Sequence, residues 1–266
     1  MTQTSLIDKI RQQHPTVVTL SNVPTMADVE NVVHAIGAQP MTSQSIHEIK
    51  TIIGMADALT INIGALDDSK GDLISAALDL SDELAIPVVL DCDGAFIPYR
   101  QEFVEGLLDH HRFTLIRGNN REIATLAGAD WQNHGNSAVT INNPDDIWGM
   151  AENCAEKFHT MTAITGQTDV VSDGQNAQVN SLGTSFFRSY VGSGDMVSSL
   201  IAAFLAVRGD ADTFDTVVHG LEFFSAAGQL AASEMRSRHP GTFFVKLLDN
   251  LSTITFEDIN QLHTDY

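Results

Sequence analysis

The chain has 266 residues, 43% of them hydrophobic and only 7 of them proline, which suits a globular α/β protein with a substantial core. Its 34 acidic and 14 basic residues leave a net charge of −20, and that charge repels nucleic acid and anionic lipid. The two cysteines, Cys92 and Cys154, make neither a disulfide framework nor a metal cluster and read as reduced thiols.

The first ten residues carry no basic region ahead of an apolar run, and no apolar stretch reaches membrane-spanning length, so a cytoplasmic protein is expected. In chain order, short β-branched runs then end in polar or glycine residues and lead into helix-like stretches. Residues 17–20 lead into Ser21-Asn22, residues 59–63 into Gly64, residues 88–90 into Asp91, residues 113–116 into Arg117-Gly118-Asn119, and residues 162–164 into Thr165-Gly166. Amphipathic stretches at 46–55, 73–84 and 123–127 lie between them. This is the rhythm of βαβ units, which predicts a mostly parallel sheet covered by helices on both faces. Ligands bind such sheets at the carboxyl ends of the strands, where these polar residues stand. Residues 169–179 read as two strands joined at Asp173-Gly174, an antiparallel hairpin at one edge. Residues 195–238 read as consecutive helices broken at Gly209-Asp210. No linker divides the chain, and residues 1–266 are expected to form a single domain.

The most informative stretch is Val191-Gly192-Ser193-Gly194-Asp195-Met196, a glycine turn and a carboxylate at the start of an apolar helix. Free backbone N–H groups and the positive dipole end suit a phosphoryl group there. Asp195 could take the proton from an attacking alcohol while the turn holds the charge that develops on the transferred phosphate. A plain glycine turn followed by a helix-capping aspartate satisfies the same residues. Cys92 beside Asp91 has no histidine in a recognisable relation and reads as a buried inert thiol. The ten histidines, including His110-His111, show no metal-ligand spacing.

Seven segments together resemble the hydroxyethylthiazole kinase family, ribokinase-like enzymes that phosphorylate the alcohol of a thiamin precursor. They are Val18-Thr19-Leu20-Ser21-Asn22, Ile36-Gly37-Ala38-Gln39-Pro40-Met41, Ile61-Asn62-Ile63-Gly64, Pro87-Val88-Val89-Leu90-Asp91, Ile116-Arg117-Gly118-Asn119-Asn120-Arg121-Glu122-Ile123, Thr165-Gly166-Gln167-Thr168-Asp169 and Val191-Gly192-Ser193-Gly194-Asp195. The resemblance implies a three-layer α/β/α ribokinase-like fold, ATP as co-substrate and Mg²⁺ as cofactor. It implies that Asp195 is the catalytic base, that Arg117 and Thr165 hold ATP, that Glu122 meets Mg²⁺ directly or through water, and that Asp91 meets it through water or through the groups around it. On local sequence alone Glu122 equally suits a helix N-terminus, and Thr165 equally suits a turn. Asn22, Met41, Thr42 and Gly192 would line the pocket of a small heteroaromatic alcohol, first of all 5-(2-hydroxyethyl)-4-methylthiazole. The family's methionine, two residues after the proline, corresponds to Thr42, while Met41 follows Pro40 directly; Met41 equally suits the core. No lysine or arginine is expected in this pocket. The family builds homotrimers with active sites at subunit interfaces, so Asn22, Met41 and Thr42 would face Gly192 of a neighbouring chain.

Three departures stand out. The family's glycine turn often ends in cysteine where this chain has Asp195, its usual histidine is replaced by Val18, and Cys92-Asp93-Gly94 replaces a proline-led segment. Two rival readings remain, the first sharing the fold and a glycine turn that ends in aspartate. ADP- or ATP-dependent NAD(P)H-hydrate dehydratases carry an Asp-x-Asp strand end like Asp91-Cys92-Asp93, and a non-catalytic binding homologue would keep the pocket without turnover.

Overall fold

The computed structural model describes residues 5–128, 144–235, 237 and 239–264. Eight strands form one sheet in the order β2-β1-β3-β4-β5-β6-β7-β8. They are β1 (Thr16–Leu20), β2 (Gln39–Thr42), β3 (Ala58–Asn62), β4 (Val88–Asp91), β5 (Leu115–Gly118), β6 (Met161–Ile164), β7 (Asp169–Ser172) and β8 (Ala177–Asn180). The pairs among β1 to β6 are parallel, whereas β7 and β8 add on antiparallel. The helices are α1 (Leu6–Gln13), α2 (Met26–Ala35), α3 (Ile49–Ile53), α4 (Asp68–Leu84), α5 (Pro98–His110), α6 (Asn120–Ala127), α7 (Pro144–Phe158), α8 (Ser193–Ala206), α9 (Thr213–Ser233), α10 (Pro240–Thr253) and α11 (Phe256–Thr264).

Strand side chains alternate between faces, and the core divides accordingly. Val17, Ala58, Val89, Leu115, Ala163 and Val171 pack with α1, α2, α8, α9 and α10 on one side. Val18, Leu59, Val88, Leu90, Ile116 and Ile164 pack with α3, α4, α6 and α7 on the other. The result is three layers, with both faces of the sheet buried as an all-parallel core requires.

Three elements differ from the sequence expectation in ways that bear on the site. β5 spans Leu115–Gly118 and not 113–116, because Gly118 pairs with Ile164 of β6. Arg117 is thus a strand residue. α4 begins at Asp68 and not at 73, because the Asp67 side chain caps it by accepting from the Lys70 amide at 2.8 Å. β2 is an edge strand not foreseen, and Pro40 is tolerated there because an edge leaves one side of the ladder unpaired. The hairpin forms as expected, with the Asp173 carboxylate accepting from the Gln175 and Asn176 amides and Gly174 at φ +89°.

Register aligns the polar strand ends. Asn62 stands opposite Asp91, and Asp91 opposite Arg117. One row across the carboxyl edge of the sheet therefore carries an amide, a carboxylate and a guanidinium.

Candidate active site

α8 starts at this row. Its cap residue is Gly192, in the left-handed region at φ +91° and without a side-chain cap bond. Only a residue without Cβ suits both this conformation and the approach of Thr25, into which a Cβ at position 192 would run. Gly194 meets a different need: a Cβ there would collide with the Arg117 guanidinium beneath the helix start. The two glycines let the α8 amides face outward while an arginine lies directly below them.

Asp195 is buried in the first turn of α8 and does not cap it. Its Oδ2 accepts from the Ser21 hydroxyl and, at 2.8 Å, from the Thr25 hydroxyl. Its Oδ1 is buried with no partner among the described residues. Burial pushes the Asp195 carboxyl above its ordinary value, while the hydroxyls of Ser21 and Thr25 pull it back. One oxygen is fixed by two hydroxyls and the other lies buried, while the Asn62 amide joins Ser21 and Thr25 in pulling the carboxyl down, an arrangement that suits a positioned base.

Arg117 Nη1 lies 3.1 Å from Asp91 Oδ2, its Nε donates to Thr165 Oγ1 at 2.9 Å, and its Nη2 donates to the same hydroxyl. The Ser198 hydroxyl of α8 also reaches Asp91 Oδ2, at 3.0 Å. Asp91 Oδ1 remains buried without a partner among the described residues. Burial pushes Asp91 up to about 7 against the pull of Arg117, with Asp195 and Glu122 adding like charge.

Glu122 realises its helix-terminal reading. Its Oε2 accepts from the Asn119 amide at 2.8 Å, and the Asn119 side chain accepts from the Glu122 amide, closing a capping box at the start of α6. Its Oε1 accepts from the Gly94 amide at 2.9 Å. Both Glu122 oxygens are engaged, so a cation reaches it most readily through water. Among the described residues no group of three or more His, Cys, Asp or Glu side chains is arranged to hold a metal ion. Mg²⁺ does not need such a cage, since it keeps several waters and uses one or two carboxylates together with substrate phosphates. The unpartnered hard oxygen of Asp91 fits that role.

Two cavities are lined by neighbours of Asp195, which itself lines neither. The larger, of about 500 Å³, is lined by Arg117, Asn119, Thr165, Ser193, Gly194 and Phe224, among others. Its apolar wall includes Phe187 stacked on Phe224, with ring centroids 4.8 Å apart. The smaller, of about 160 Å³, is lined by Leu20, Ser21, Asn22, Ser43, Lys70 and Leu73, among others. Asp195 bonds to Ser21 of the small cavity and follows Gly194 of the large one.

The remaining expected residues divide. Asn22 lines the small cavity. Met41 and Thr42 line neither cavity of this chain: Met41 packs on the core, and the Thr42 hydroxyl donates to Glu30 at 2.7 Å. Lys70 overturns the expectation of an acceptor pocket free of cations, because capping by Asp67 draws the first turn of α4 against Asn22. Ser21, Thr25 and Ser198 hold the two carboxylates; Ser21 stood among the expected polar strand ends but without a role, and Thr25, four residues after it, and Ser198 were not foreseen. Cys92 is buried with its thiol pushed up by burial, in keeping with an inert side chain. Among the described residues no helix is long and apolar enough to cross a membrane.

A sequence model described as the hydroxyethylthiazole kinase family matches residues 7–257. A hydroxyethylthiazole kinase of Lactiplantibacillus plantarum is 36% identical over 259 residues, covering 97% of each chain. One from Limosilactobacillus fermentum is 37% identical, covering 95% of this chain and 97% of its own. The solved hydroxyethylthiazole kinase of Pyrococcus horikoshii superposes with a TM-score of 0.85 at 29% identity, covering 96% of this chain and 94% of its own. An ADP/ATP-dependent NAD(P)H-hydrate dehydratase from Bacillus subtilis, at 16% identity and a TM-score of 0.58, shares the fold alone. With the match running through β1 to α11 and every strand-end segment, this chain belongs to the hydroxyethylthiazole kinase family.

Proposed function

We propose that this protein transfers the γ-phosphoryl group of ATP to the alcohol of 5-(2-hydroxyethyl)-4-methylthiazole, in thiamin salvage. The observation that carries this reading is Asp195, a buried carboxylate with one oxygen held by Ser21 and Thr25 and the other without a hydrogen bond among the described residues, bonded to Ser21 of the small cavity and adjacent in sequence to Gly194 of the large one. Family membership supports the same reaction.

In this account ATP lies in the larger cavity, with its phosphates against the α8 amides and the Arg117 fork. Thr165 fixes that fork by accepting from two of its nitrogens. The alcohol enters the smaller cavity beside Asn22; Gly192 lines neither cavity of this chain. Asp195 accepts its proton as the oxygen attacks phosphorus, and the α8 amides meet the charge that develops. Phosphoryl transfer asks mainly for positioning and charge stabilisation, which these residues supply. When bound, Mg²⁺ neutralises phosphate charge; Asp91 Oδ1 and, through water, Glu122 would hold it.

Met41 and Thr42 sit on the edge strand β2 and line neither cavity of this chain. We assign them to the acceptor site of a neighbouring chain in a homotrimer, in a cytoplasmic enzyme acting as one unit over residues 1–266. The activity is tested by incubating the protein with Mg-ATP and the thiazole alcohol and looking for the phosphate ester by mass spectrometry. Formation of the ester is expected. Its absence, with consumption of a polyol or a hydrated nicotinamide nucleotide instead, overturns the reading.

A further inference from the structure

The small cavity holds a cation that phosphoryl transfer itself does not call for. Lys70 stands in the first turn of α4, where a positive charge opposes the helix dipole. It is also half-buried, and burial lowers its ammonium to about 8 against the pull of Asp195 and Asp93. A lysine held against both dipole and desolvation breaks local preference, and such breaks gather at functional sites.

Its contacts show what it does to its neighbours. Lys70 Nζ donates to Asn22 Oδ1 at 2.7 Å and to the Gly64 carbonyl at 2.6 Å. With that oxygen taken, the Asn22 amide turns its Nδ2 to Asn62 Oδ1 at 3.0 Å and to Asp93 Oδ2 at 3.5 Å. Asn62 Oδ1 in turn accepts the Gly64 amide at 2.7 Å. The hydroxyls that face the cavity are also committed, Ser21 to Asp195 and Ser43 to Glu48. Gln44 lies exposed at the rim. An ammonium has three donors and two are spent, so the third N–H of Lys70 is a half-buried donor left for a ligand, beside the exposed amide of Gln44.

We propose that Lys70 is a specificity-determining residue that donates its third N–H to the ring nitrogen of the heteroaromatic alcohol. This rests on the phosphotransfer reading above and names how the site recognises the ring. The cavity walls of Leu20, Val23 and Leu73 cover the apolar ring edges, and one acceptor atom in the ring meets one donor. A ring without that acceptor leaves a partly buried ammonium donor unpaired, which is how polar sites reject isosteres.

The test compares the thiazole alcohol with the thiophene alcohol of the same shape, in which C–H replaces the ring nitrogen. In the wild-type protein kcat/KM should favour the thiazole by about tenfold or more. Lys70→Met keeps the length of the stem and removes the donor, and it should bring the ratio to about one. A purely structural lysine predicts equal losses for both alcohols, so an unchanged ratio in Lys70→Met overturns the proposal. Should that variant fail to fold, a wild-type ratio near one overturns it as well. Calorimetric binding of the two alcohols is measured beside turnover. A Lys70-dependent preference in binding without any turnover overturns the proposed activity and upholds the role of Lys70; failure of both alcohols to bind overturns that role.

Discussion

A Cβ at Gly194 would collide with the Arg117 guanidinium, so Gly194→Ala should displace the fork that faces the ATP phosphates. Charge-assisted hydrogen bonds contribute roughly 1.5–3 kcal/mol each, so the KM for ATP should rise about 10- to 100-fold with a smaller change in the KM for the alcohol. Steady-state kinetics with each substrate varied in turn check this, and an unchanged KM for ATP contradicts the placement of the nucleotide. At this scale the sequence was legible where a residue type has few uses. Asp91 and Arg117 end apolar runs and Asp195 opens one after a glycine turn, positions that demand a partner or a function. Lys70 was not legible, because its role depends on Asp67 capping α4 and bringing the first turn against Asn22, a contact 48 residues apart in sequence. Glu122 proved to serve two needs at once, since the carboxylate that closes the capping box also accepts from Gly94.

Among the elements, the start of α6 is tied to the site by its cap. Its capping box joins Asn119 to Glu122, and Asn119 lines the larger cavity. Asn119→Ala removes the cap and should destabilise the protein by about 0.5–2 kcal/mol, read as a lower midpoint in denaturant with unchanged slope. An unchanged midpoint would show that the box contributes nothing. Periodicity located β1, β3, β4, β5 and β6 because each is an apolar run buried on both faces. It missed β2, whose four residues are half-buried or exposed and include Pro40, so that neither alternation nor a continuous apolar run marks it. α5 escaped for a related reason: it buries only Val104 and Leu107 over thirteen residues, too little apolar surface for a clear stripe. The left-handed turn at Gly192 was legible because glycine before a helix has a short list of uses.

For the whole molecule, a net charge of −20 opposes binding of a polyanion such as ATP, and the positive potential at the site must come from local sources. Arg117, Lys70 and the α8 amides lie around Asp195 and supply it without altering the overall charge. The proposed trimer would add Met41 and Thr42 to the acceptor cavity of a neighbouring chain, and light scattering at assay concentration should report three chains. An active monomer contradicts that assembly. The central claim is that Asp195 takes the proton from the acceptor alcohol, and kcat measured against pH for the wild type and Asp195→Asn tests it most directly. Burial raises the Asp195 carboxyl, and the base works only when ionised. Wild-type kcat should therefore fall as pH drops, through a limb lying above the ordinary aspartate value of about 3.9. Asp195→Asn should lose about 10²- to 10⁴-fold in kcat at neutral pH, lack that limb, and bind ATP as the wild type does. Turnover in Asp195→Asn close to wild type, with the acid limb intact, would contradict the account.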